Sequence, residues 1–155
     1  MMLKASQGMT MIELLVVLVV TALVMTLAIP SFKETIERRR LEGAGGELST
    51  DLQYTRSLAV ARNTSVALTT NGTGTGYTIA DSSGGTTHRT VSLADSLTLT
   101  ASVTVTYENI RGTANAADIT ISSTNSSDKI RVSTNIMGRV QMCIPSGQIA
   151  GYSAC

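Results

Sequence analysis

Two cysteines, Cys143 and Cys155, are the most reactive side chains in this 155-residue sequence. A pair so placed allows three chemistries: a metal site, a reactive dithiol or a disulfide. Two thiolates are too few for a structural zinc site, and the spacing is not C-x-x-C. If the chain is exported, a disulfide is the natural state of the pair. It would close a loop of about 12 residues, add near 3 kcal/mol by chain entropy, and pin the tail Ile144–Ala154. His88 is the only histidine, and one imidazole defines neither a metal site nor a catalytic triad. Ser126-Ser127-Asp128-Lys129 spells S-x-x-K, but in a Ser/Asn-rich turn without the accompanying motifs. Gly72–Gly76 alternates Gly with Thr but lacks the strand-to-helix setting and the lysine of a phosphate loop. The N-x-S/T matches at Asn63, Asn71 and Asn125 are expected by chance in a chain this rich in Ser and Thr. Nothing here points to an enzyme, and no cofactor or metal is expected.

The remaining candidate is a carboxylate in an apolar run. Residues 14–29 (LLVVLVVTALVMTLAI) are almost continuously apolar, and Glu13 stands just inside that run. As a helix, Ile12–Ile29 would be about 27 Å long, close to the hydrocarbon thickness of a bilayer. An acid there costs on the order of 2.5–3.5 kcal/mol on insertion scales. An ordinary secretory signal has its apolar run before the cleavage site. Here the short polar stretch 1–8 (MMLKASQG) ends in a glycine that precedes the run. A cut after Gly8 would leave the run in the mature chain, with Met9 as its first residue and Glu13 as its fifth. Glu13 could then neutralise the free amine of Met9 on a neighbouring subunit, or snorkel to water at the membrane edge. Position alone leaves both open.

The string Gly8-Met9-Thr10-Met11-Ile12-Glu13-Leu14-Leu15, with Pro30 in Ala28-Ile29-Pro30-Ser31-Phe32, resembles the leader and helix start of type IV pilins and type II secretion pseudopilins. That resemblance implies cleavage after Gly8 by a prepilin peptidase, N-methylation of Met9 and a filament-assembly role for Glu13. The family more often has Phe where Met9 stands, though the apolar character is kept. The resemblance also implies a single-pass protein of the bacterial inner membrane with a periplasmic C-terminal domain, later part of a pilus or pseudopilus. Its partners would be other pilins and the inner-membrane assembly machinery. Counting Lys and Arg near the apolar run gives the opposite orientation, because Lys4 faces Lys33, Arg38, Arg39 and Arg40. The resemblance overrides that count.

The elements that must hold these groups follow from pattern. Pro30 would kink or locally open a helix without necessarily ending it. Residues 31–62 read as an amphipathic continuation, with apolar positions at Leu41, Leu48, Leu52, Leu58 and Ala59. Gly43-Ala44-Gly45-Gly46 marks a weak point, since each glycine costs about 1 kcal/mol relative to alanine. Arg38–Arg40, interleaved with Glu34, Glu37 and Glu42, reads as a solvated or subunit-facing surface, with lipid headgroups or DNA as alternatives. From Thr64 onward β-branched residues dominate. Strands are expected at Ser65–Thr70, Tyr77–Ala80, Ser96–Tyr107, Asp118–Ser122, Lys129–Thr134 and Arg139–Cys143, with turns at Asn71–Gly76 and Asp81–Thr87. The expected fold is α+β: a long N-terminal helix whose second half packs on a C-terminal antiparallel sheet. The divisions would be a leader 1–8, a transmembrane half-helix 9–30, an amphipathic half-helix 31–62 and a periplasmic β-rich domain 63–155.

Aromatic residues make up 3% of the chain, with no Trp, so the core relies on Val, Ile and Leu. The net charge is +1, and removing Lys4 with the leader leaves 11 basic residues against 11 acidic ones. That balance excludes a chain-wide nucleic-acid surface and leaves room only for a local patch.

Three further segments resemble the GspH/FimT family: SLAVARNTSVALTT at 57–70, Tyr107–Gly112, and Asn135-Ile136-Met137-Gly138-Arg139-Val140-Gln141-Met142-Cys143. The resemblance implies a minor pilin of a type IV pilus that helps initiate or cap the fibre, or an H-type minor pseudopilin of a type II secretion system. The C-terminal cysteines and the Gly138-Arg139 turn favour the pilus. Some members take up DNA through a Gly-Arg-x-Arg motif. Here Gly138 and Arg139 match, but Gln141 replaces the second arginine. A DNA receptor built from Arg139, Lys129, Arg131 and Gln141 is therefore a third expectation, against the simpler reading of a hairpin turn with an exposed shoulder.

Overall fold

Helix α1 (Met11–Arg62) takes up the whole N-terminal third of the chain. The computed structural model describes residues 9–101, 103–146 and 149–155, and leaves the side chains of 27–31 aside. Pro30 lies within the helical span, so it does not end the helix. The described chain divides into two compact units, Met1–Thr35 and Ile36–Cys155.

Within the second unit, α1 buries Glu37, Leu41, Gly45, Leu48, Leu52, Thr55 and Ala59, recurring every three or four residues. That is one stripe of a 3.6-residue helix. Gly45 does not break it. A Cβ at Gly45 would lie 3.0 Å from Ile130 Cγ2 and 3.1 Å from the Met142 methyl carbon. The glycine lets the helix backbone approach the sheet, and close packing offsets its poor helix propensity. The helix stops at Asn63, whose φ of 52° is left-handed. There the Asn63 N–H donates to Val60 O and the Thr64 N–H to Ala59 O, satisfying two terminal carbonyls.

Among the described residues eight strands follow: β1 (Val66–Thr70), β2 (Gly76–Asp81), β3 (Thr87–Ser92), β4 (Leu97–Ala101), β5 (Val105–Tyr107), β6 (Ala117–Ser123), β7 (Lys129–Thr134) and β8 (Val140–Ser146). They form two antiparallel four-stranded sheets, ordered β3-β2-β1-β5 and β4-β6-β7-β8. The α+β architecture is the expected one, but the stretch read as a single strand from Ser96 to Tyr107 is divided between the sheets. β4 pairs with β6, and β5 pairs with β1. Buried positions on both pieces, Leu97, Leu99, Val105 and Tyr107, keep the same parity, so the alternation carries no sign of the crossing. β3 was not expected, because none of its six residues is buried. It is an edge strand, and its polarity discourages pairing with another chain.

Alternating residues of both sheets meet the α1 stripe in one core, including Val66, Leu68, Ile79, Ile119, Ile121, Ile130 and Val132. Polar ties lock the helix in register. Tyr77 donates its hydroxyl to Asp51 Oδ2 at 2.7 Å, and Arg89 Nε reaches the same oxygen at 3.1 Å. Burial, reinforced by the Asp51 carboxylate, pushes the Tyr77 phenol well above its ordinary range. At the other end, Arg38 Nε meets Asp128 Oδ2 at 3.1 Å, and Arg40 meets Glu37 at 3.0 Å. Two of the three arginines in the basic run are thus paired within the fold.

Two carboxyls link stability to pH. The Ser96 hydroxyl beside Glu37, helped by Ser123 and Arg40 and opposed by burial, holds that carboxyl below its usual range. The His88 ring, 2.7 Å from Asp81, does the same for Asp81, helped by the Thr86 N–H and opposed by burial. A folded-state pKa below the unfolded one contributes stability above the unfolded value, near pH 4 to 4.5, that is lost as pH falls through the folded value. Urea midpoints should therefore be level from about pH 7 to 5 and drop below that. Glu37→Gln should make the acid limb shallower. An unchanged limb would mean that the Glu37 contacts do not couple to folding.

Candidate functional site

The first turn of α1 is built around Thr10 and Glu13. The Glu13 N–H donates to Thr10 Oγ1 at 3.3 Å, and the Thr10 N–H donates to Glu13 Oε2 at 3.4 Å. This reciprocal arrangement is a capping box, which satisfies two of the unpaired amides at a helix start. The signal was present in the sequence as T-x-x-E, and the reading of Glu13 as either pairing with Met9 of a neighbour or snorkelling to water overlooked it. Beyond the cap, every residue from Leu14 to Val20 remains 51–59% exposed. Seven consecutive residues go round the full circumference, so among the described residues this segment has no covered side. Such a helix needs lipid or other helices around it. Thr21 and Thr26 donate their hydroxyls to Val17 O and Leu23 O, at 2.6 and 2.8 Å, which suits an apolar environment. Among the described residues, no helix is long and apolar enough to cross a membrane; the side chains of 27–31 fall outside that description. Gly8, the expected cleavage residue, also lies outside the described residues, whereas Met9 is described and exposed.

At the other end of the chain, the β7–β8 turn is organised by Asn135. Its Oδ1 accepts the N–H groups of Met137 and Arg139 at 3.0 and 2.9 Å, and Gly138 N–H donates to Asn135 O. Gly138 is left-handed (φ 71°), and a Cβ on it would stand 2.3 Å from Gly112 O. Only glycine allows this contact, which brings the turn against the 108–112 loop.

Arg139 and the pair Arg131 and Gln141 line different hollows. Arg139 stands at the end of the β7–β8 turn. It lines a hollow of about 680 Å³ with Arg56 of α1, Arg111, Gln53 and Val60. Arg131 and Gln141 line a second hollow of about 510 Å³ with Ser133, Cys143, Ser153 and Cys155. Arg131 is opposite Cys143 and Ser133 opposite Gln141, so these four share one face, while Arg139 belongs to the turn. Lys129 is opposite Ser146 at the far end of β7, roughly 17 Å along the strand from Thr134 at 3.3–3.4 Å per residue. The Arg131 Nε is buried without a hydrogen-bond partner in the described structure. Arg56 and Arg111 were missed by the sequence reading, because residues so distant along the chain meet only through the Gly112–Gly138 contact.

Cys143 and Cys155 are joined by a disulfide, with Cα atoms 4.9 Å apart. The tail it holds runs beside β8: Ile144 N–H donates to Ser153 O, and Cys155 N–H to Ile144 O, at 2.9 and 3.1 Å. Ile149 is buried in the core, and Tyr152 packs against it. Replacing both cysteines by serine should lower unfolding free energy by about 3 kcal/mol, read as a lower urea midpoint. A midpoint within error of wild type would show that the tail adds nothing to the cooperative unit.

Comparisons with known proteins agree with this geometry. The family described as Type II transport protein GspH matches residues 44–138, and the Prokaryotic N-terminal methylation motif matches residues 3–29. No curated protein sequence matches the chain. Among solved structures, the type IV minor pilin FimU of Pseudomonas aeruginosa (strain PAO1) is 25% identical, with a TM-score of 0.58, covering 68% of this chain and 90% of that one. The minor pseudopilin EpsH of the Vibrio cholerae Type 2 Secretion System is 10% identical, with a TM-score of 0.59, covering 70% of this chain and 99% of that one; at that identity the likeness concerns the fold. With the family match spanning the second half of α1 and most of both sheets, joined to the N-terminal methylation motif, the chain belongs to the GspH family of type IV pilin-like proteins.

Proposed function

We propose that the chain is a minor pilin of a type IV pilus, a structural subunit that enters the fibre through the N-terminal part of α1 and helps to start or cap it. The observation that carries this reading is the 25% identity to FimU over 68% of the chain, against 10% for the pseudopilin EpsH. The reading includes cleavage between Gly8 and Met9 by a prepilin peptidase and N-methylation of Met9. It also includes residence in the inner membrane, with residues 63–155 in the periplasm, before assembly. The exposed apolar circumference of residues 14–20 supports it, because neighbouring helices in a bundle would cover that surface.

Deleting the gene and counting surface fibres, alongside the secretion of exported proteins, tests the reading. Loss of fibres with intact secretion is the expected outcome, and restoring the chain should restore the fibres. Intact fibres with lost secretion would assign the chain instead to a type II secretion pseudopilus, the second reading, which the GspH family description favours.

A further inference from the structure

The hollow around Arg139 has two properties that together define a partner. The first is uncompensated charge. Arg56, Arg111 and Arg139 line one concavity, and in the described structure none of the three guanidinium groups has a hydrogen bond or ion pair. Glu108, an acid of the adjoining loop, is not among the residues lining the hollow and accepts from Thr113 Oγ1 at 2.7 Å. Elsewhere in the fold Arg38, Arg40 and Arg89 all have carboxylate partners. Three guanidinium groups converging on one space repel each other, and carboxylates arriving from outside would relieve that repulsion with charge-assisted hydrogen bonds.

The second property is the apolar rim. Ile110 is 80% exposed, Met137 66% and Ile136 63%, and they stand on the two loops that carry Arg111 and Arg139. The Ala114 N–H donates to Ile136 O, and Gly138 abuts Gly112, so these loops are held side by side. A row of phosphates recognises cations and gains nothing from burying isoleucine and methionine beside them. A protein partner gains from both, and Arg and Met are enriched in protein interfaces.

We propose that Arg56, Arg111 and Arg139, with Ile110, Ile136 and Met137, form a docking surface for a neighbouring fibre subunit that presents carboxylates around an apolar side chain. This rests on the reading of the chain as a filament subunit, and it adds where and by what chemistry the folded domain is held.

The test uses the full-length chain in cells, with a photo-crosslinking amino acid at Ile136 or, separately, at Val17 in α1. The Ile136 probe should give an adduct with another fibre subunit through a peptide containing Asp or Glu. Arg111→Glu should reduce that adduct about tenfold, the loss expected for one charge-assisted contact of about 1.4 kcal/mol, while leaving the Val17 adduct in place. A Val17 adduct without an Ile136 adduct overturns the docking surface and spares the filament reading, as does an Ile136 adduct indifferent to Arg111→Glu. Absence of both adducts overturns the filament reading and this inference with it. A mobility shift of duplex DNA by the detergent-solubilised chain, lost in Arg111→Ala, would overturn the protein partner in favour of nucleic acid.

Discussion

Glu13→Gln should be processed and inserted like the wild-type chain, keep its helix start, and yet be absent from fibres. The structure makes this substitution more informative than Glu13→Ala. Glutamine at the third position of a capping box serves as well as glutamate, so the reciprocal bonds with Thr10 would survive. Only the charge is removed. If Glu13 neutralises the Met9 amine of an adjacent subunit inside a helix bundle, losing the carboxylate leaves that amine buried and unpaired. Removing one partner of a buried ion pair costs about 3–5 kcal/mol, more than a hundredfold in an association equilibrium. Immunoblots of sheared fibres against the membrane fraction would measure it. Wild-type incorporation of Glu13→Gln, together with failure of Glu13→Ala, would identify the residue as a helix cap and remove the pairing role.

Asp51→Ala is expected to lower unfolding free energy by about 3 kcal/mol, the low end of the range for breaking a buried pair because Arg89 is part-exposed. Asp51 sits between Leu48 and Leu52 on the buried stripe of α1, with one carboxylate oxygen serving both Tyr77 and Arg89. Its loss leaves a buried phenol without an acceptor and creates a small cavity between helix and sheet. Tyr77→Phe should cost only about 1 kcal/mol, since one neutral donor is lost and Arg89 remains. Urea titrations of the detergent-solubilised chain, followed by circular dichroism, would separate the two. Equal effects would mean that the Arg89 contact contributes nothing to the tie. A drop of about 3 kcal/mol is a large fraction of the 5–15 kcal/mol typical of a folded domain, so Asp51→Ala should also reduce the amount of chain in the cell.

What the sequence made legible, and what it hid, follows from how far apart the cooperating residues lie. Apolar runs and strict alternation reveal α1 and strands such as β7, because each buries its own face. β3 shows no apolar face, so no alternation marks Thr87–Ser92 as a strand, and only its pairing with β2 reveals it. Gly45 reads as a flaw because propensity is local, whereas its benefit comes from Ile130, far along the chain. The same limit applies to the candidate site. The Thr10–Glu13 cap was legible and overlooked. The Arg56–Arg111–Arg139 hollow was not legible, since no periodicity connects a helix, a loop and a turn that meet at two glycines. Grouping Arg139 with Lys129, Arg131 and Gln141 follows strand alternation, which carries no sign that Arg139 also lines a hollow with Arg56 and Arg111.

β8 forms the border of its sheet, and the tail laid along it does more than add stability. A bare border strand offers its amides and carbonyls to any extended segment that drifts past, which is how sheets recruit foreign strands. Ile144 instead bonds Ser153 and Cys155 of its own chain, and the Cys143–Cys155 link holds that cover in place. For a filament subunit of the kind proposed above, this would matter beyond folding. The crosslink covers part of the edge where another chain could add strand onto strand, and so would favour the helix as the end through which subunits join.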